Sequence, residues 1–95
     1  MELPLTLVIL TPAGEKARLA CACVTLYARD NLRGENGGSM GILKGHMPAV
    51  IALEPGSTVK ARVSEGAFSA YKVSGGFAKV ENDEVTVITA SAVDE

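Results

Sequence analysis

Turn signals recur along this chain at intervals of about 8–12 residues, and no stretch between them has the periodicity of an amphipathic helix. The segments between the turns are rich in β-branched and small apolar residues. In residues 58–63, Val59 and Ala61 alternate with Lys60 and Arg62, which is the pattern of a half-buried antiparallel strand. Short strands with frequent turns predict an all-β sandwich or barrel, and we expect residues 1–95 to form a single domain.

The composition limits both the core and the partners. Nearly half of the 95 residues are apolar, yet there are only two Phe, two Tyr and no Trp, so the core must be built from aliphatic side chains. A formal charge of −2 argues against nucleic acid as the main partner. No apolar run reaches the roughly 18 residues that a membrane-spanning helix needs, and the N-terminus lacks a basic segment. We therefore expect a soluble, intracellular chain.

Individual strands follow from the alternation and the turns. Residues 17–28 are apolar on both faces and are expected to form one central strand, although their alanines leave helix as the alternative. Residues 29–38 carry four charges and three glycines, which is typical of a loop. Further strands are expected at residues 3–10, 49–53, 58–63 and 68–73, and a final hairpin joins 77–81 to 84–89 through Asn82 and Asp83.

The two cysteines predict packing rather than chemistry. Cys21 and Cys23 are two residues apart, so in a single strand both side chains lie on one face and a disulfide between them is strained. Only His46 is available as a further metal ligand, which is too few for a closed zinc site. We expect reduced, packed thiols, no metal and no cofactor.

The turn residues in the segment GGSMGILKGHMPAVIALEPG at residues 37–56 indicate a loop that presents side chains to a ligand or partner. Its Lys44 is followed by Gly-His-Met-Pro and a strand, which is the wrong order for a phosphate-binding loop. Ile42 and Leu43 form either an exposed apolar pair or a plug of the core. Glycines and a proline are expected to set the shape of this segment and of a later turn, namely Gly38, Gly41, Gly45, Pro48, Gly75 and Gly76.

Catalysis has little support in the residues. His46 could in principle act on a serine, but no G-x-S-x-G sequence is present, and the acidic residues cluster in turns and at the C-terminus. The serines in question are Ser39, Ser74 and Ser91. The residues by themselves therefore favour a binding or structural module without catalytic residues.

Two segments resemble a known family. Residues 38–56, GSMGILKGHMPAVIALEPG, resemble the signature GELGILPGHAPLLTALKPG of the epsilon subunit of F-type ATP synthases, which is called delta in mitochondria. Residues 73–90, VSGGFAKVENDEVTVITA, resemble the later family motif SGGFLEVxxNxVTVLADTA. The two motifs occur in the family's order. The resemblance implies a flattened antiparallel β-sandwich of about ten strands, which is the N-terminal domain of that subunit.

The resemblance also implies a function. The family's subunit is a non-catalytic rotor part of the central stalk, which couples the gamma subunit to the membrane ring of c subunits during proton-driven ATP synthesis. A bacterial member is peripheral to the cytoplasmic face of the cell membrane. By motif position, Ser39 and Met40 are expected to meet the c-ring. The residues expected to meet gamma are Thr11, His46, Met47 and Ile51.

The chain departs from the family pattern in three places. Ser39 stands where the family usually has Glu, and Lys44 stands where it usually has Pro. The segment 29–38 is longer than the family's turn, and its Glu35 is a candidate for the missing carboxylate. The sequence stops at Glu95, where most relatives continue into a helical hairpin. Without that hairpin we expect no self-inhibition and no nucleotide binding.

Two other functions remain open from the sequence. One is a free-standing β-sandwich binding module that uses residues 34–47 as its binding loop. The other is a small hydrolase that uses His46.

Overall fold

A computed structural model describes residues 3–29 and 38–95. The described chain contains no helix and is built from strands, which confirms the all-β prediction. There are ten of them: β1 (Leu5–Thr11), β2 (Gly14–Cys21), β3 (Cys23–Ala28), β4 (Gly38–Ile42), β5 (Ala49–Leu53), β6 (Thr58–Ser64), β7 (Ala67–Val73), β8 (Gly76–Glu81), β9 (Glu84–Ile88) and β10 (Ala92–Asp94).

The strands form one strongly curled sheet. Its order is β10-β7-β6-β3-β5-β8-β9-β1-β2, and β4 pairs with β3 off this path. The two strands at the ends of the order come close to each other, because Lys16 Nζ on β2 lies 3.7 Å from Asp94 Oδ1 on β10. The sheet is therefore a nearly closed, barrel-like sandwich.

The first strand pairs in parallel with the last long strand. β1 and β9 run side by side from Thr6 opposite Glu84 to Leu10 opposite Ile88, whereas the other strand pairs are antiparallel. The pairing is extended at both ends, since Thr6 N donates to Asp83 O at 3.1 Å and Thr89 N donates to Leu10 O at 3.0 Å. These bonds attach the N-terminal hairpin to the C-terminal one.

The core is aliphatic, as the composition predicts. Its side chains come from alternate positions of the strands, for example Val59 and Ala61 of β6 and Val85 and Val87 of β9. Thr89 is buried in the same row as Val85 and Val87, and its hydroxyl donates to Ser91 O at 3.1 Å. A polar side chain is thus accommodated in the interior by a hydrogen bond.

The prediction of one strand over residues 17–28 is wrong. The chain bends at Ala22, whose N–H donates to Arg62 O at 2.8 Å, and this divides the segment into β2 and β3. The bend changes which positions face inward: Cys21 is fully buried in the core, whereas Cys23 is partly exposed. The expectation that both thiols share one face is therefore wrong as well.

Both cysteines are free thiols in the structure. Burial raises the pKa of the Cys21 thiol above its ordinary value, and the neighbouring Cys23 adds to this effect. The helix alternative for this segment is excluded by the strand pairing. The predicted loop at 29–38 lies outside the described residues except for its two ends, and β10 was not predicted.

Gly76, the first residue of β8, lies closer to a neighbouring strand than a side chain would allow. It has φ +105°, and a Cβ at this position would lie well inside van der Waals contact of the Ile88 carbonyl oxygen on β9. Gly38 and Gly41, which were expected to shape the loop, instead lie in β4 with no positive φ and with open space at their Cβ positions. The prediction that these two glycines are required for shape is therefore wrong.

Gly76→Ala is expected to destabilise the fold by at least about 3 kcal/mol, because the methyl group meets backbone atoms that cannot move without opening the β8–β9 pair. Gly66→Ala is a matched control, since Gly66 has φ +75° but open space at the Cβ position. That change is expected to cost only about 1–2 kcal/mol of backbone strain. Urea unfolding followed by far-ultraviolet circular dichroism measures both, and equal losses would contradict the proposed contact.

Candidate functional site

The segment 37–56 contains β4, a short loop at 43–48 and β5, with only residue 37 outside the described chain. Ile42 is fully buried in the core, whereas Leu43 is exposed at the start of the loop. The two apolar residues therefore have different roles: Ile42 is a core plug and Leu43 is a surface residue. The candidate binding loop 34–47 is described only from residue 38 onward.

The 43–48 loop is fastened to the turn between β8 and β9. The N–H of Gly45 donates to Asp83 Oδ1 at 2.8 Å, and His46 N donates to Leu43 O at 3.1 Å. Gly45 has φ +82° and Asp83 has φ +59°, so the residues that meet here both lie in tight turns. This attachment fixes the position of His46 and Met47 relative to β8 and β9.

His46 bonds the backbone rather than a hydroxyl. Its Nδ1 donates to Met47 O at 2.7 Å, and in the described residues its side chain has no serine partner. Ser74, one of the serines considered for a catalytic pair, lies 3.2 Å from Thr89 Oγ1 instead. The described chain therefore does not assemble a serine–histidine pair.

Thr11 and His46, which were both expected at the gamma interface, lie at opposite ends of the sandwich. His46 is near the end where β1 begins, because Asp83 is hydrogen-bonded both to Thr6 N and to Gly45 N. Thr11 is at the other end of β1, about 16 Å from Thr6 at the rise of an extended strand. The predicted residues can meet one partner only if that partner covers a whole face of the sheet.

Ile51 does not fit the prediction. Its side chain is only 7% exposed and belongs to the core cluster, so it is not available to a partner. The neighbouring Val50 is 70% exposed. Strand alternation explains the difference, because β5 pairs with β8 and directs every second side chain inward.

Three exposed apolar side chains share the outward side of β5, β8 and β9, which we call the apolar face: Val50, Phe77 and Ile88. Phe77 lies directly opposite Ile88 in the β8–β9 register, and their exposed fractions are 55% and 53%. Val50 lies opposite Lys79, the next outward residue of β8. The sequence reasoning missed this face, although the alternation of Val85, Val87 and Thr89 in the sequence places Ile88 on the other side of the strand.

An open groove of about 510 Å³ continues the apolar face toward Thr11. It is lined on one side by Leu10, Thr11 and Pro12 and on the other by Ile88, with Gly75 and Gly76 at its base. The exposed Met47 lies at the opposite end, beside the Asp83 turn. Thr11 and Met47 thus lie at opposite ends of the sandwich, and the outward side chains of β8 and β9 between Phe77 and the Asp83 turn are polar or charged: Lys79, Glu81, Glu84 and Thr86.

Ser39 and Met40 lie on β4, which among the described strands pairs only with β3. Ser39 is exposed opposite Tyr27, whereas Met40 is partly buried against the core. Gly38 pairs with Ala28 at the end of β3. Ser39 therefore lies at an exposed edge near that end of the sandwich.

Within residues 3–29 and 38–95, no three His, Cys, Asp or Glu side chains converge at a spacing that could hold a metal ion. In the same ranges, no helix is long and apolar enough to cross a membrane.

Comparison with known proteins connects this geometry to a family. Residues 5–95 match the β-sandwich domain of the ATP synthase delta/epsilon chain. An ATP synthase epsilon chain of Prochlorococcus marinus is 44% identical over 55 residues, which is 58% of this chain and 40% of the relative. A chloroplast epsilon chain of Zygnema circumcarinatum is 34% identical over 68 residues, 72% of this chain and 50% of the relative. The chain thus spans half or less of these relatives.

Solved structures agree with the fold. A chain of the Euglena gracilis mitochondrial ATP synthase, solved as OSCP/F1/c-ring in rotational state 1, superposes with a TM-score of 0.77 at 28% identity, covering 99% of this chain and 55% of that one. A chain of the Tetrahymena thermophila mitochondrial ATP synthase central stalk and c-ring gives 0.71 at 15% identity, covering 96% and 66%. The resemblance noted in the sequence is confirmed, and the chain belongs to the ATP synthase delta/epsilon family, whose β-sandwich domain residues 5–95 form.

Proposed function

We propose that this chain acts as a non-catalytic part of the central stalk of an F-type ATP synthase, where it lies between the gamma subunit and the c-ring and carries rotation between them. In this role it supports proton-driven ATP synthesis at the cytoplasmic face of a bacterial membrane. Family membership and the Euglena and Tetrahymena chains, both from complexes that include the c-ring, support the proposal. The apolar face is the single observation that carries it furthest.

The apolar face is suited to the gamma subunit because it exposes more than half of each of three large apolar side chains. Such side chains gain about 25 cal/mol for each Å² of apolar surface that a partner removes from water. A contact running from Thr11 past Phe77 to Met47 spans at least the roughly 16 Å length of β1. This span fits a standard protein interface of about 800 Å² on each partner.

The domain is also built to transmit force without yielding. The parallel β1–β9 pair, the close approach of Gly76 to β9 and the Gly45–Asp83 bond tie the apolar face to both ends of the sandwich. Strands that are paired in this way move relative to one another only when the sheet itself opens. A rigid sheet between two partners transmits rotation, whereas a flexible connection would absorb it.

The chain offers a matched test of the gamma contact. Phe77→Ser removes the central side chain of the apolar face, and Phe68→Ser removes a phenylalanine of nearly equal exposure, 53%, from β7. Because half of a buried Phe side chain contributes about 1–1.5 kcal/mol, Phe77→Ser is expected to weaken binding of the cognate gamma subunit about 5–10-fold. Phe68→Ser is expected to leave it unchanged. Surface-immobilised gamma subunit and interferometry measure both affinities.

The same measurements decide against the proposal if Phe68→Ser weakens gamma binding as much as Phe77→Ser, or if neither change has an effect. Both side chains are half-exposed, so neither variant is expected to lose more than about 1 kcal/mol of folding stability. A thermal unfolding curve of each variant separates a binding defect from a folding defect.

For the c-ring contact we propose the edge of the sandwich that carries Ser39. The side chain is exposed on β4, and the strand has no partner on its other edge among the described residues. Met40 contributes less side-chain surface because it is partly packed against the core. The contact therefore rests on Ser39 and on the backbone of β4 more than on Met40.

Site-directed crosslinking tests this contact. In an assembled complex, Ser39→Cys is expected to crosslink to a c subunit through a short bismaleimide. Ser64→Cys is the control, because Ser64 is exposed at the end of β6. The nearby Arg62 pairs with Cys23 at the start of β3, whereas Ser39 lies near the end of β3. The unsubstituted chain corrects for reaction at the partly exposed Cys23. Equal crosslinking from both positions, or crosslinking from Ser64→Cys alone, contradicts the proposed orientation.

A further inference from the structure

A second exposed surface of the sandwich has a different chemical character. The outward side of β6 and β7 carries Lys60, Arg62, Phe68 and Lys72, which we call the basic face. The strand register places them together: Arg62 is directly opposite Phe68, and Lys72 is opposite Thr58, the next outward residue before Lys60. Their strand neighbours Val59 and Ala61 point into the core.

The cations of the basic face have no acidic partners in the described chain. None of the three forms a salt bridge with a described carboxylate, whereas Arg18 on β2 is paired with Glu15 at 2.9 Å. Glu95 lines a shallow cavity together with Thr58 and Lys60, and its carboxylate accepts a 2.6 Å hydrogen bond from Thr58 rather than forming a salt bridge with a cation of this face. A chain with net charge −2 thus concentrates three unpaired positive charges on one side.

Two observations show that Arg62 and Lys60 lack a full set of hydrogen-bond or ion-pair partners. The Nε atom of Arg62 is buried and has no hydrogen-bond partner among the described residues, which is costly for a charged group. Lys60 Nζ lies 5.1 Å from the centre of the Phe68 ring, so it uses the ring in place of a carboxylate. A carboxylate from outside could pair with Lys60 Nζ and with the guanidinium nitrogens of Arg62 other than the buried Nε.

We propose that the basic face binds an acidic segment of a partner protein, one that presents carboxylates to Arg62, Lys60 and Lys72 and an apolar side chain to Phe68. This surface is separate from the apolar face, because it lies on β6 and β7 rather than on β5, β8 and β9. The proposal therefore does not depend on the gamma contact.

The structure favours a protein segment over the other anionic surfaces. Basic clusters that hold anionic membranes usually contain about 4–8 Lys or Arg residues, and this face has three. A nucleic acid would meet a chain whose net charge is −2. Carboxylates spaced along an extended or helical segment can match these cations, which lie on two adjacent strands that are about 5 Å apart.

The test uses a defined probe, a peptide of about ten residues in which Glu and Leu alternate, added to the isotope-labelled chain. Amide shifts in nuclear magnetic resonance spectra are expected to concentrate on β6 and β7 and to weaken between about 20 mM and 150 mM NaCl. Arg62→Gln and Lys72→Gln are each expected to weaken binding about fivefold. Lys79→Gln, an exposed lysine on β8, is the matched control and is expected to have no effect.

Several results would overturn the inference. They are shifts centred on β8 and β9, equal binding of a peptide in which Gln replaces Glu, and an effect of Lys79→Gln as large as that of Arg62→Gln. Tighter binding to phosphatidylserine-containing vesicles than to the peptide would assign the face to a membrane instead. Lys72 is exposed, so Lys72→Gln keeps the test valid even if Arg62→Gln destabilises the fold.

Discussion

The parallel pairing of β1 with β9 is the constraint on which the rest of the structure depends. It joins the N-terminal hairpin to the C-terminal one, and it is extended by backbone bonds from Thr6 to Asp83 and from Thr89 to Leu10. Because Asp83 also accepts from Gly45, the same junction holds the 43–48 loop. The apolar face lies across β5, β8 and β9, so the arrangement of its side chains depends on this closure as well.

Much of the fold could be predicted from local patterns, because turn chemistry and alternation act within a few residues. The β6 alternation and the Asn82–Asp83 turn are both found in the structure. The parallel β1–β9 pair could not be predicted, since it joins residues far apart in the chain. The bend at Ala22 was missed for a related reason: it is fixed by a hydrogen bond to Arg62 on another strand.

The site shows the same division. The family motifs identified the 43–48 loop, and Met47 is indeed exposed there. Ile51 was assigned to a partner surface by motif position alone, but the β5–β8 register turns it inward and turns Val50 outward. The apolar and basic faces each combine residues from different strands, and only the register shows which side chains become neighbours.

The sandwich thus has two chemically distinct faces, and we propose that the apolar face binds the gamma subunit. Hydroxyl-radical footprinting of the chain alone and in complex with its cognate gamma subunit tests this assignment side chain by side chain. In the complex, Met47 and Phe77 are expected to lose most of their oxidation, while Phe68 on the basic face reacts as it does in the free chain. Protection of Phe68 with unchanged oxidation of Phe77 would contradict it.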